Sequence, residues 1–389
     1  MRSPRFSVQS IYGGYGGCGV TGFLPMEFPE ISRSKAFAKA RVQLLSAGLP
    51  FARIEGVDLR EVEAADGEVL QSLISEHGVL CFPQQNLTPE QELNVNRAFG
   101  YHDTAEETVG GPSQKYFGFA SSVDSGVPVH AVPGCPLVQV QGNGTFKDHC
   151  GIEEVTLQVA VGFLTEGFHS DGLHDQADFD SDTLPVLTSM YCHQACTDGT
   201  GETNFLCSRA PLRKLSSEQL AFLRGCRLHY QSRDVLKQGR PVMEGGLRRL
   251  RRPGQEEVTT PVSRELLLAS AEAGPVHPII RRHADTGDEA LCISCGNVAF
   301  MVSPKGVEGP AACYDLIESF FADQEMYAHR WHPGDFVIWD NRLCLHAGPR
   351  AVHGDRLMHR VRLRGSARCN ADCAEVWKQV RQERAEGLW

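Results

Sequence analysis

Apolar and polar positions alternate in two rhythms along this chain, and the change of rhythm organises it. Residues 1 to about 48 are punctuated by Gly and Pro and show little periodicity, although Ser32 to Ala47 is predicted helical. From Phe51 the pattern sharpens. Phe51-Ala52-Arg53-Ile54 reads as a strand and Gly56-Val57-Asp58-Leu59 as a turn. Between Glu68 and Glu76, Val69, Leu70, Leu73 and Ile74 recur at helical spacing, and Gly78 stands where such a helix would end. The unbroken apolar run Val79-Leu80-Cys81-Phe82 predicts a buried strand. Thr88-Pro89-Glu90-Gln91 then opens a helix, with Thr as N-cap, Pro in the first position and an acid in the first turn, running to about Phe99.

Beyond the loop-rich residues 101 to 136, strands dominate. Pro136 to Val140, Val186 to Cys192, Phe336 to Trp339 and Leu357 to Arg364 each read as one. A turn at Gly199 to Glu202 leads into another. Val276 to Arg281 and Ala290 to Ile293 form a predicted hairpin around Asp285-Thr286-Gly287. Helices are predicted at Ser216 to Arg224, Pro310 to Ala322 and Ala374 to Glu386. Gly142 to Gly167 fits neither rhythm. Short strands between turns, flanked by helices, suit an α+β class with a mainly β core. The expected architecture is a double-stranded β-helix, a cupin-like jelly roll, rather than alternating βαβ units. Three segments follow: an N-terminal extension (1–48), the main domain (49–366) and a C-terminal helix packed on it or extending it (367–389).

Composition narrows the class. A net charge of −10 argues against broad nucleic-acid binding, and no apolar run approaches the ~18 residues of a membrane helix. The 14 cysteines are scattered, so they read as reduced thiols of a cytoplasmic protein that is free to form a homo-oligomer. Cys292-Ile-Ser-Cys295 is the one CxxC; its apolar setting points to buried structural thiols rather than zinc or redox chemistry. The opening carries Arg2, Ser3, Arg5, Ser7 and Ser10 before the first acid, Glu27, which leaves organelle targeting open. The cluster Arg248, Arg249, Arg251 and Arg252 reads as a solvated loop.

The candidate chemistry begins at Gly167-Phe168-His169-Ser170-Asp171-Gly172. On extended backbone, residues i and i+2 share a face, so His169 and Asp171 can aim at one point. That is two thirds of the 2-His-1-carboxylate set of non-haem Fe(II) oxygenases. Far downstream, Trp339-Asp340-Asn341 precedes a turn that returns with His346, then Arg356 and Arg360. In the last strand Arg356, Met358, Arg360, Arg362 and Arg364 share one face, with Arg356 and Arg360 roughly 13 Å apart along it. An arginine facing a barrel interior calls for an anion, and a dicarboxylate supplies a bidentate partner. Other polar groups have simpler readings. His174 and Asp175 read as an exposed loop, Asp148-His149-Cys150 as a polar loop, His193 as a packed or hydrogen-bonded histidine, and His359, on the opposite face from the arginines, as structural.

These residues, in this order, resemble the taurine/2,4-D dioxygenase (TauD/TfdA) family. Gly56 to Leu59, Val79 to Phe82, Leu87 to Gln91 and Phe99-Gly100 are similar to its N-terminal region. His169-Ser170-Asp171 resembles its ligand pair, Gly201-Glu202-Thr203 its Gly-Asp-Thr, and Trp339-Asp340-Asn341, His346 and Arg356 to Arg360 its C-terminal signature. The resemblance covers roughly residues 50 to 366. It implies that His169, Asp171 and His346 bind Fe(II), that Thr203 and Arg356 hold the 2-oxoglutarate tail carboxylate, and that Arg360 sits at the co-substrate and reaches toward an anionic substrate near Gly172. It further implies an O₂-dependent enzyme, supported by ascorbate, that releases succinate and CO₂ while oxidising a C–H bond of a small anionic molecule. Halogenating members lack the carboxylate that Asp171 supplies, so hydroxylation is the expected outcome. Two other readings compete: a non-catalytic jelly roll that binds a metabolite, and a zinc hydrolase on a similar barrel. The chain departs from the family in its first 48 residues, in Phe168 where a tryptophan is usual, in the segment before His169, and in the acidic stretch Asp175 to Asp182. The last of these places Thr203 34 residues after His169. The segment before His169 and the acidic stretch flank the substrate pocket.

Overall fold

Pairing between strands distant in sequence builds this fold, seen in a computed structural model that describes residues 35–100, 108–109, 130–159, 167–173, 184–230, 274–295, 298–308, 310–364 and 367–386. The first strands are β1 (Arg41–Leu44), β2 (Ala52–Glu55), β3 (Val79–Phe82), β4 (Thr108–Val109), β5 (His130–Val132), β6 (Cys135–His149) and β7 (Ile152–Leu157). The middle of the chain gives β8 (Pro185–Gln194), β9 (Thr203–Cys207), β10 (Arg227–Tyr230), β11 (Val276–Pro278), β12 (Ile280–Arg282) and β13 (Glu289–Leu291). The last are β14 (Val298–Ser303), β15 (Gly306–Glu308), β16 (Met326–His329), β17 (Phe336–Asp340), β18 (Cys344–Ala347) and β19 (Arg356–Arg364).

Ten strands form one sheet in the order β1-β2-β3-β17-β8-β19-β6-β5, with β4 on β19 and β7 on β6. Among the described residues its one parallel pair is β2 with β3. A three-stranded sheet, β16-β9-β18, packs across one face of it. The seam holds Phe51, Met190, Cys192, Phe205, Trp339 and Met358. The other face is covered by α1 (Gly67–His77) and α2 (Pro89–Ala98) through Leu70, Leu73, Leu93 and Val95. Both faces of the large sheet are therefore buried, which is why β3 and β17 read as continuous apolar runs. Two facing sheets with helices outside match the expected jelly-roll architecture.

Local signals set the helix ends. Thr88 accepts from the Gln91 amide while Gln91 reaches back to the Thr88 amide, a complete capping box; Ser216 and Gln219 repeat it before the Ser217–Arg224 helix. Helix α1 ends at Gly78 in the left-handed conformation (φ 71°). The Pro310–Phe321 and Ala371–Ala385 helices lie where periodicity predicts them. Cys373, Trp377 and Val380 of the latter pack against Leu173, Leu184, Val276 and Cys292.

Two expectations need correction, and one unassigned stretch is resolved. The described part of Ser32 to Ala47 forms turns and strand β1, not a helix. Arg41-Val42-Gln43-Leu44 alternates with period two, and its pairing with β2 from Arg41↔Glu55 to Leu44↔Ala52 outweighs helical propensity. The predicted Val276 to Arg281 strand divides: β11 joins β10, while β12 makes the hairpin with β13. Most of the unassigned stretch after Gly142 is a hairpin of β6 and β7. The N-terminal residues 1–34, His174 with the acidic stretch 175–182, and the 248–252 arginine cluster lie outside the described residues. Among the described residues, no helix is long and apolar enough to cross a membrane.

Candidate active site

His346 lies on β18 and Thr203 on its neighbour β9, both in the small sheet. Arg356 and Arg360 lie on β19 in the large sheet. His169 belongs to neither. It is an extended residue that bridges Ser294 on one side and His346 on the other, rather than part of a strand as expected. Reciprocal amide-to-carbonyl bonds of 3.0 Å join His169 and His346 backbone to backbone. Those bonds set the two imidazoles 4.3 Å apart, centroid to centroid.

The imidazoles converge on one carboxylate. The Nε2 atoms of His169 and His346 stand 3.6 and 3.7 Å from Asp171 Oδ1. Two bonds of ~2.1 Å to a shared ion span at most ~4.2 Å, so these separations are within reach of one metal. His169 Nδ1 is 2.7 Å from the Gly167 carbonyl, which can only accept. The proton is thus on Nδ1, and Nε2 keeps its lone pair for a metal.

Asp171 is held from several sides. Arg360 Nη2 donates to both of its oxygens at 2.6 Å, and Thr188 Oγ1 donates to Oδ2 at 2.6 Å. Asn341 Nδ2 donates to Thr188 Oγ1 (2.9 Å), and Trp339 Nε1 donates to Asn341 Oδ1 (3.2 Å). Ser170 Oγ donates to the Asn341 carbonyl at 2.8 Å, and Arg281 Nη2 reaches that same carbonyl and Ser170 Oγ. Burial pushes the Asp171 carboxyl up, but Arg360 and the two histidines outweigh it and hold it well below the usual range. Burial, reinforced by the charge of His169, drives His346 well below an ordinary histidine. Burial also lowers His169, but the Asp171 carboxylate beside it raises it on balance.

Arg356 is different. It is 3% exposed, and among the described residues no carboxylate forms an ion pair with it, and its Nε has no hydrogen-bond partner. Burial pulls it down to about 10. Its guanidinium carbon lies 5.9 Å from the Trp331 ring, and Trp331 Nε1 donates to Thr203 Oγ1 at 3.1 Å. Trp331 thus links the two residues. Gly201 makes the space: its φ is +81°, and a Cβ there would meet Arg356 Cδ at 2.9 Å. This buried, unpaired guanidinium beside a hydroxyl fits a carboxylate-bearing co-substrate, and the His, Asp, His donor set fits a divalent iron. At Gly172, where φ is +83°, a Cβ would meet Pro185 Cδ at 2.6 Å.

A profile of the family described as "Taurine catabolism dioxygenase TauD, TfdA family" matches residues 43–362. The chain belongs to the TauD/TfdA family. Among TauD/TfdA relatives, the alpha-ketoglutarate-dependent xanthine dioxygenase xanA of Emericella nidulans is 24% identical over 342 residues, covering 76% of this chain and 86% of the relative. The alpha-ketoglutarate-dependent 2,4-dichlorophenoxyacetate dioxygenase of Cupriavidus pinatubonensis is 24% identical over 301 residues, 77% of this chain and 88% of the relative. A crystal structure of a taurine dioxygenase homologue from Burkholderia xenovorans superposes with a TM-score of 0.54 at 23% identity, over 84% of this chain and 90% of that one. A structure of AAD-2 with Mn(II) and N-oxalylglycine gives 0.53 at 17% identity, over 84% and 98%. These two structures establish a shared fold. Family and relatives make the chain an enzyme of the 2-oxoglutarate-dependent dioxygenases, in preference to a non-catalytic binder or a zinc hydrolase.

Sequence reasoning missed Thr188, Trp331 and Arg281. Thr188 sits in an apolar strand run, where a β-branched residue reads as ordinary sheet packing. Trp331 begins the segment leading to Asp335, which could have marked it; Arg281 lies in a hairpin strand that gives no hint of its reach to Asn341. Asp340, by contrast, is structural: Arg342 binds it bidentately (Nε 3.0 Å, Nη2 2.6 Å) and His283 Nε2 lies 3.1 Å away.

Proposed function

We propose that this chain is an Fe(II)- and 2-oxoglutarate-dependent dioxygenase that hydroxylates a C–H bond of a small anionic organic substrate, consuming O₂ and releasing succinate and CO₂. His169 Nε2, Asp171 Oδ1 and His346 Nε2 hold the iron. When bound, the iron with its chelating 2-oxo acid supplies the oxidative decarboxylation and the C–H oxidation. The rest is positioning. Arg356 and Thr203 take the distal carboxylate of 2-oxoglutarate, and Trp331 orients both. Arg360, Thr188 and Asn341 keep Asp171 ionised and fix its angle. Arg360, already at the metal ligand, is placed to attract the acidic group of a substrate approaching by Gly172.

The observation that carries this reading is the Arg356 guanidinium, buried with no carboxylate ion pair among the described residues, on the same strand as the Arg360 that binds Asp171 in a convergent His, Asp, His set. Relatives named for aryloxy acids and for xanthine frame the substrate panel. The test is succinate release with Fe(II), O₂ and ascorbate, screened across aryloxyacetates, sulfonates and xanthine. Substrate-stimulated succinate from an anionic member supports the reading. Stimulation by xanthine alone would reject the anionic substrate but keep the chemistry; no succinate with any compound, or without one, would reject both. Arg356→Ala is expected to weaken 2-oxoglutarate binding by about 2–5 kcal/mol, at least roughly thirtyfold, with partial rescue by Arg356→Lys. Unchanged half-saturation by 2-oxoglutarate would remove Arg356 from that role.

A further inference from the structure

Strand β19 has a second face. Opposite the arginines, His359 points toward α2 and meets three groups from three other segments. Its Nδ1 is 2.7 Å from Glu92 Oε1 (α2) and 3.0 Å from His193 Nε2 (β8). Its Nε2 is 2.8 Å from His149 Nε2, at the end of β6. The Glu92 and His193 atoms are 3.9 Å apart. One ring nitrogen from each of the three histidines falls within 4.8 Å of the others. The rings stand edge-on about a common centre: His193 and His359 at 63°, His149 and His193 at 80°.

Two of these contacts compete for one ring nitrogen. The Nδ1 position of His359 faces both a carboxylate and an imidazole nitrogen, yet it holds one proton. Glu92 is 1% exposed, and among the described residues its ion-pair partners are histidines, with no Arg or Lys. A buried carboxylate without a fixed cation must take a proton or a metal. Burial drives His149 down to about 4, and His193 and His359 to about 3, which disfavours imidazolium forms in the cluster. Burial raises Glu92 well above the usual carboxylate range. Glu92 Oε1, His193 Nε2 and His359 Nδ1 lie 2.7, 3.0 and 3.9 Å from one another, within the ~4.2 Å spanned by two ~2.1 Å bonds, and a carboxylate with imidazoles is a donor set of the zinc type; His149 contacts the other ring nitrogen of His359, where it can orient that ring.

We propose that Glu92, His193 and His359 Nδ1 form a second metal site, with His149 held against the other ring nitrogen of His359, for a borderline divalent ion such as Zn²⁺, on the back of the strand that carries Arg356 and Arg360. A bound ion would supply the cation that Glu92 lacks among the described residues. The ion would tie α2, β8 and β19 together behind the strand that carries the active-site arginines. His149 and His193 are half-buried, which leaves an approach from the β6–β7 turn while Glu92 and His359 form the floor.

The test uses the full chain carrying His346→Ala, which disables the first site, stripped with a chelator and titrated with Zn²⁺ alone against a chromogenic competitor. One tightly bound equivalent is expected. Adding His149→Ala and His193→Ala should weaken it at least tenfold with the circular dichroism unchanged. In the chain without His346→Ala, the same titration should read two equivalents, falling to one with the pair of alanines. That second comparison decides the matter if His346→Ala does not fold. Co²⁺ in place of Zn²⁺ should give the intense visible bands of a four-coordinate site. Failure of the His346→Ala chain to retain Zn²⁺, or equal retention with and without His149 and His193, overturns the proposal.

Discussion

The two faces of β19 carry nearly the same side-chain chemistry and reach opposite electrostatic outcomes. On the front, Asp171 lies among His169, His346 and Arg360; on the back, Glu92 lies among His149, His193 and His359. Both carboxylates are buried beside imidazoles. One guanidinium separates them. Arg360 holds Asp171 well below the ordinary range, whereas Glu92, without such a partner, is pushed well above it. The front carboxylate thus has a fixed cation beside it, and the back carboxylate has none among the described residues. The lesson is that ligand types alone do not define a metal centre's resting state; the fixed cation beside the carboxylate does.

The largest expected contrast comes from amide replacements. Asp171→Asn removes the anionic ligand and should reduce succinate formation to background. Glu92→Gln, which keeps the shape and hydrogen-bonding capacity of a buried carboxyl, should change metal-free stability by under about 1 kcal/mol and leave succinate formation intact. Loss of turnover in Glu92→Gln, or retained turnover in Asp171→Asn, would break the comparison. Next comes Asp340→Asn, which tests what a structural carboxylate does in the same seam. It leaves the buried Arg342 with the longer, partly exposed Asp285 contact at 3.5 Å, and should cost about 3 kcal/mol in denaturant unfolding. Burial opposes ionisation of Asp340, but Arg342 and His283 hold its folded pKa well below normal. Its contribution is therefore present above the unfolded value near 3.9 and lost as pH falls through the folded one. The stability gap between the two chains should narrow below about pH 4. A gap constant from pH 7 to pH 3 would contradict this. The smallest effect is expected from Thr188→Val, which removes one hydrogen bond to Asp171. It should weaken Fe(II) binding by about tenfold to a hundredfold while leaving Arg356-dependent 2-oxoglutarate binding unaltered, both read by titration.

Much of the front face was legible because its chemistry is compact in sequence. His169-Ser170-Asp171 lies within three residues, and Trp339 to His346 within eight. Capped helices were legible too, since Thr88 with Gln91 and Ser216 with Gln219 are local devices. What escaped was set by register. His149, His193 and His359 each looked like an ordinary packed or loop histidine when judged alone. They meet because β6 and β8 pair on either side of β19, with His359 facing Tyr191 in register and Val140 on the other side. Thr188 and Trp331 escaped for the same reason, as each acts on a partner at least 17 residues away. Strand β1 was misjudged because its four residues pair with a neighbour that propensity cannot foresee.

The most direct test of the front-face site is the anaerobic visible spectrum on adding 2-oxoglutarate to the Fe(II)-loaded chain. A charge-transfer band is expected in the unaltered chain, absent in His346→Ala and displaced to much higher 2-oxoglutarate concentration in Arg356→Ala. Iron bound at one equivalent with no such band at saturating 2-oxoglutarate, or an unchanged band in His346→Ala, would contradict it.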